Sequence, residues 1–144
     1  MQKMPPLEKI HEALSAVADG RIAMHDGQAE VKSSNGAKTY SVKWSGDKYS
    51  SNDSATYWQK YAGYPIIAVL FLQGRLKLPS EDVVSKFAGV DWNALNAKYK
   101  RNYARAAAEV MEKIGREGID VDLLDNEIRI IYEQLGQLPL VISR

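Results

Sequence analysis

The segment Gly63–Leu72, Gly-Tyr-Pro-Ile-Ile-Ala-Val-Leu-Phe-Leu, constrains this chain more than any other, because nothing from Tyr64 to Leu72 carries a charge. It is far shorter than the roughly 20 apolar residues needed to cross a bilayer, so it does not read as a membrane span. A helix apolar on every side is packed on every side. The sequence therefore calls for a buried central helix over 65–73, opened by Pro65, whose fixed φ and missing N–H suit a first turn. The rest of the chain must surround it.

Ahead of that segment, Pro5 and Pro6 can open an N-terminal helix, and Leu7, Ile10, Leu14 and Val17 recur at the spacing of one amphipathic stripe. Gly20 suits its left-handed end. This pattern leaves Glu8, Lys9, Glu12 and Ser15 on the wet side.

From Arg21 to about Ser51 the period changes to two. Asp26-Gly27, Asn35-Gly36 and Gly46-Asp47 punctuate the stretch as two-residue turns, the first two suited to type I′ and the third to type II′. Since a one-residue slip flips every side chain, the turns can be checked against each other. Closing them sets Met24 opposite Ala29, Ile22 opposite Val31, Val31 opposite Tyr40, Ala29 opposite Val42 and Trp44 opposite Tyr49. All three registers gather Ile22, Met24, Ala29, Val31, Tyr40, Val42, Trp44 and Tyr49 on one face. The expectation is a four-stranded antiparallel meander over about 21–51. Its other face is polar, with Arg21, His25, Glu30, Lys32, Lys43 and Lys48.

Ser50–Ser54 is rich in capping residues and predicts a short helix after it. Pro79-Ser80 predicts another, with Val83, Val84 and Phe87 inward. Asp91 reads as the N-cap of a long helix reaching about Ile114, with Trp92, Leu95, Tyr99, Tyr103, Ala106, Val110 and Ile114 as its seam. Asp120 then caps a second helix over 121–135, whose seam is Val121, Leu124, Ile128, Ile131 and Leu135. Two such helices joined by a short loop pair as an antiparallel hairpin. The tail from Leu138 can add an edge strand or cover the core.

These elements predict a single α+β domain spanning 1–144, its meander packed by one face on a helical subdomain. The chain has no cysteine, which excludes disulfides and thiolate chemistry and fits a reducing cytoplasm. No apolar stretch follows Met1–Pro6, so a signal peptide is not expected. A formal net charge of +1 argues neither for a nucleic-acid protein nor for an acidic solvating one.

Chemistry-bearing motifs are sparse. No phosphate-binding loop, nucleophile elbow or dinucleotide fingerprint is present. His11 and His25 have no sequence partner for acid–base work and read as surface or boundary residues. Asp120, Asp122, Asp125 and Glu127 lack the spacing of a calcium loop, and the first two suit a helix N-terminus. No metal, cofactor or catalytic residue is expected. Two groups stand out as interaction candidates. Tyr57, Trp58, Tyr61 and Tyr64 crowd into a short stretch beside the buried run, as a patch or a pocket. Arg21, Lys32, Lys43 and Lys48 on the sheet, with Lys98, Arg101 and Arg105 on the long helix, could track phosphates. The sequence thus points to a non-enzymatic cytoplasmic binding or assembly module meeting a protein partner or itself. A phosphate-tracking nucleic-acid binder is the alternative, and an enzyme or small-ligand binder with a pocket near Tyr57–Tyr64 is the third possibility.

Overall fold

The computed structural model describes Met1 and residues 3–144. Helix α1 (Lys9–Ala18) is followed by strands β1 (Ile22–Met24), β2 (Gln28–Lys32), β3 (Thr39–Ser45) and β4 (Lys48–Ser51). Helices α2 (Ser54–Gln59), α3 (Tyr64–Leu72), α4 (Glu81–Ser85), α5 (Trp92–Lys98), α6 (Tyr103–Arg116) and α7 (Val121–Gln137) come next, and β5 (Val141–Ser143) ends the order.

The sheet runs β1-β2-β3-β4-β5. Every register derived from the turns is present: Met24 faces Ala29 and Ile22 faces Val31, Val31 faces Tyr40 and Ala29 faces Val42, and Trp44 faces Tyr49. The turns themselves differ from type I′, because at Asp26-Gly27 and Asn35-Gly36 only the glycine has positive φ. Hydrogen bonds from Ser33 and Gly36 to Lys38 and Ser33 carbonyls widen the second turn into a loop while its centre stays fixed. The tail supplies a fifth strand, β5, which pairs parallel to β4 through Lys48–Val141, Tyr49–Ile142 and Ser50–Ser143.

Helix α3 touches β1, β3 and β4 on one side and α1 on the other, so it forms the middle layer. Its side chains from Pro65 to Phe71 are buried. Each fully buried Ile, Leu or Val contributes about 1.5–3 kcal/mol, so this stretch is the densest apolar element of the core. Gly63 caps α3 without a side chain. A Cβ there would stand 2.5 Å from Asp53 Oδ2 and 2.7 Å from Thr56 Oγ1, so the turn between α2 and α3 admits no other residue without moving them.

Besides the turn types, two expectations about the helices are corrected. The helix expected over 92–114 is two helices, because Lys100 and Arg101 adopt positive φ and Asn102 caps α6 by accepting from Arg105 N. The second correction concerns α1. Its supposed wet side is enclosed: Lys9, Glu12 and Ser15 are buried together with Ile10, Ala13, Leu14 and Ala16, and His11, expected at the surface or boundary, is buried as well because α4 and α7 pack over it. Helix α1 packs against α3, α4 and α7. Trp92 and Asn96 of α5 and Tyr103 of α6 close over the flank that the apolar stripe left open, and that flank becomes a polar interior.

Candidate ligand cleft

The buried polar flank of α1 opens on a cleft of about 110 Å³. Its walls come from the β2–β3 loop (Ser34), β3 (Tyr40), the start of α2 (Asp53, Ser54), the start of α3 (Tyr64, Pro65) and the start of α5 (Trp92, Asn93), with Lys9 and Glu12 of α1 at its floor. That volume accommodates several waters or a small organic molecule.

Lys9 and Glu12, one helical turn apart, form an ion pair at 3.1 Å with both side chains 10% exposed. Lys9 Nζ also lies 4.3 Å from the centre of the Tyr103 ring, which attracts a cation through its face. Burial works to lower the Lys9 ammonium, but the Glu12 charge, the neighbouring Tyr103 and the hydrogen bond to Glu12 outweigh it, so Lys9 is held above its ordinary range. On Glu12 burial dominates and pushes the carboxyl up, against the pull of Lys9 and hydrogen bonds from Lys9 and Asn96. Asn96 Nδ2 donates to Glu12 Oε1 at 3.4 Å.

The two tyrosines of the wall are neutral. Burial raises the Tyr64 phenol above its ordinary value, with the Arg21 charge opposing it. Tyr40 is raised by burial and then by the charges of Asp53 and Glu12. Both rings therefore present protonated hydroxyls, and they meet edge to face at 6.3 Å. Asp53 is spent on structure. Its Oδ1 accepts from Ser51 Oγ, and its Oδ2 accepts from Thr56 N and Thr56 Oγ1 at 3.0 Å each. Trp92 is fixed twice, its indole donating to Ser15 Oγ at 2.8 Å and its backbone N–H to Ser34 Oγ at 2.9 Å.

The four aromatics singled out in the sequence divide. Tyr64 lines the cleft and Tyr61 is buried, with Lys3 Nζ 5.6 Å from its ring centre. Tyr57 and Trp58 point outward, 38% and 67% exposed. They meet edge to face at 4.9 Å, and the Arg144 guanidinium lies 5.1 Å and 5.7 Å from their ring centres. Lys43 lines a shallow hollow with Tyr57 and Arg144.

The basic residues fall into separate groups. Lys32, Lys43 and Lys48 are exposed on the sheet. Arg21 is engaged by Asp19 at 3.0 Å and donates to the Lys32 carbonyl at 2.6 Å. Lys98 pairs with Glu109 at 2.7 Å, and Arg105 stacks 5.1 Å from the Tyr99 ring centre. Arg101 sits in the break between α5 and α6. Among the acidic residues, Asp120 caps α7 through Asp122 N and Leu123 N, and Asp125 pairs with Arg129 at 3.3 Å. Among the described residues, no three His, Asp or Glu side chains gather closely enough to hold a metal, and no helix is long and apolar enough to cross a membrane.

Lys9, Glu12, Tyr40 and Trp92 were not singled out by sequence. A signal was available: Ala13, Ser15 and Ala16 put small residues on the side of α1 away from the Leu7, Ile10, Leu14 and Val17 stripe, as suits a helix with close neighbours there too.

A model of the family described as uncharacterised conserved protein UCP014422 matches residues 2–141. The chain belongs to that family. No curated protein and no solved structure matches it.

Proposed function

We propose that this family member is a binding module that takes a small polar ligand into the cleft above Lys9 and Glu12. The observation that carries this reading is the ion pair on the cleft floor. A buried ion pair is a poor device for stability, because well-packed apolar residues of similar volume serve as well or better. Charged groups kept at the base of a concave site are instead a mark of recognition. Binding suits the residues better than catalysis, since a Lys9 held protonated is no nucleophile and Asp53 has no free role. The absence of cysteine supports a reducing cytoplasm as the place of work.

The test is a fragment screen by two-dimensional NMR on the labelled protein, using a chemically mixed library of small polar molecules. Hits are expected to move the Ser34 and Asn93 amides and the Trp92 indole together. A library whose hits all leave those signals in place sinks the cleft reading.

A second reading rests on Trp58, which at 67% exposure is an unusual site for so large an apolar ring. With Tyr57 and Arg144 it supports a protein-facing patch, for a partner or a second copy. Self-association predicts a sedimentation mass above 16.1 kDa that returns to that value in Trp58→Ser. The nucleic-acid reading has less support, because Arg21 and Lys98 are already paired within the chain.

A further inference from the structure

If the cleft binds a small polar molecule, its charges also constrain the class of that molecule, and the ligand class rests on the cleft being a binding site. The charges facing the cleft are Lys9, Glu12 and Asp53. Lys9 and Glu12 cancel each other at 3.1 Å, and Asp53 is bound into the α2 cap by Ser51 and Thr56. An anion entering the cleft would meet Lys9 but also the carboxylates of Glu12 and Asp53. A cation would meet Glu12 but also Lys9, with Arg21 behind Tyr64 at 6.0 Å from its ring centre. A zwitterion would have to separate Lys9 from Glu12 to use them, taking the ammonium off its position over Tyr103.

A neutral hydroxyl has none of these difficulties. It accepts from an ammonium and donates to a carboxylate at once, so it bridges an intact ion pair. Glu12 has spare acceptor capacity, since Lys9 reaches Oε2 and Asn96 approaches Oε1 only at 3.4 Å. The Tyr40 and Tyr64 hydroxyls offer further donors and acceptors. Pro65, which also lines the cleft, gives the apolar contact that the C–H side of such a ligand needs.

We infer that the cleft selects a small neutral polyhydroxylated ligand, a polyol or one edge of a monosaccharide, through hydroxyls bridging the Lys9–Glu12 pair. Recognition then depends on the pair as a unit, and the tyrosines set how many hydroxyls are read.

The experiment titrates the full chain by NMR with four probes: myo-inositol, methyl glucoside, glycine and inorganic phosphate. The inference expects inositol or the glucoside to shift Ser34, Asn93 and the Trp92 indole saturably at millimolar concentration. Glu12→Gln should weaken that binding at least tenfold. Tyr40→Phe, which keeps the ring and removes only the hydroxyl, should weaken it severalfold even if the Glu12 variant fails to fold. Saturable binding of glycine or phosphate in the cleft, tighter than either neutral probe, overturns the ligand class while the cleft reading stands. Neutral probes that shift nothing there, although fragments of other classes do, overturn it equally. Fragments of every class avoiding the cleft overturn both.

Discussion

Helix α1 carries two buried polar flanks, and they are built in opposite ways. On one, Lys9, Glu12 and Ser15 are each answered: Lys9 by Glu12 and the Tyr103 ring, Glu12 by Asn96, Ser15 by the Trp92 indole. On the other, His11 is 4% exposed and its Nδ1 is without a hydrogen-bond partner. Its ring tilts against Phe87 at 6.2 Å, and burial lowers its pKa to about 4, against the opposing pull of the Asp125 charge and the Glu8 backbone. The imidazole is thus packed as a neutral, largely apolar ring. Neighbouring residues on one helix are handled as a mutually bonded polar set on one side and as neutral filling on the other. Burial is the same on both flanks; the partners differ.

The contrast can be broken most severely from the paired side. Glu12→Ala leaves the Lys9 ammonium buried and alone, and losses of about 3–5 kcal/mol are expected from removing one partner of such a pair. Urea unfolding should show this, and Lys9→Met with Glu12→Leu should recover most of it. A single variant as stable as the parent would show that water reaches Lys9 freely.

The His11 side predicts a pH effect of known sign. With a folded value of about 4 against 6.5 unfolded, the unfolded chain binds the proton more readily. Stability is therefore complete above about pH 6.5 and is lost as pH falls toward 4, by about 3 kcal/mol in all. Glu12, raised by burial, opposes this by gaining its proton more easily in the folded state. His11→Leu should flatten the decline while leaving stability at pH 7 within about 1 kcal/mol. An unchanged slope would assign the acid sensitivity elsewhere.

The smallest effect sharpens the paired flank. Trp92→Phe removes the indole donor and leaves Ser15 Oγ buried without it, for which about 1–2 kcal/mol is expected. Thermal unfolding would measure it, and the cleft should lose affinity for its ligand as the wall loosens.

What the sequence made legible is local. The meander registers could be derived because each turn specifies the strands beside it, and three turns had to agree. The caps at Asp91 and Asp120, and the helix starts at Ser50–Ser54 and Pro79-Ser80 where Asp53 and Ser80 prove to be the caps, could be read because a cap acts within one turn. The break between α5 and α6 escaped because it preserves the apolar seam. Tyr99 and Tyr103 keep helical spacing across it, while positive φ falls on Lys100 and Arg101, with no glycine to announce it. The cleft escaped for a different reason. Its floor is one turn of α1, but its walls come from β3, α2, α3 and α5, and what encloses a helix is a property of the whole fold. The aromatic cluster was half informative for the same reason: short spacing cannot say that Tyr61 and Tyr64 turn inward while Tyr57 and Trp58 turn out.

The parallel pairing of β5 with β4 bears on the order in which this molecule can assemble. Four strands zip through neighbouring hairpins, each closing on a few residues of loop. The fifth reaches β4 only by closing a connection that holds every helix from α2 to α7, and closing so long a connection is slow. Sheet completion is therefore a late event, and an interrupted chain would leave β4 as a bare edge until Val141–Ser143 arrive.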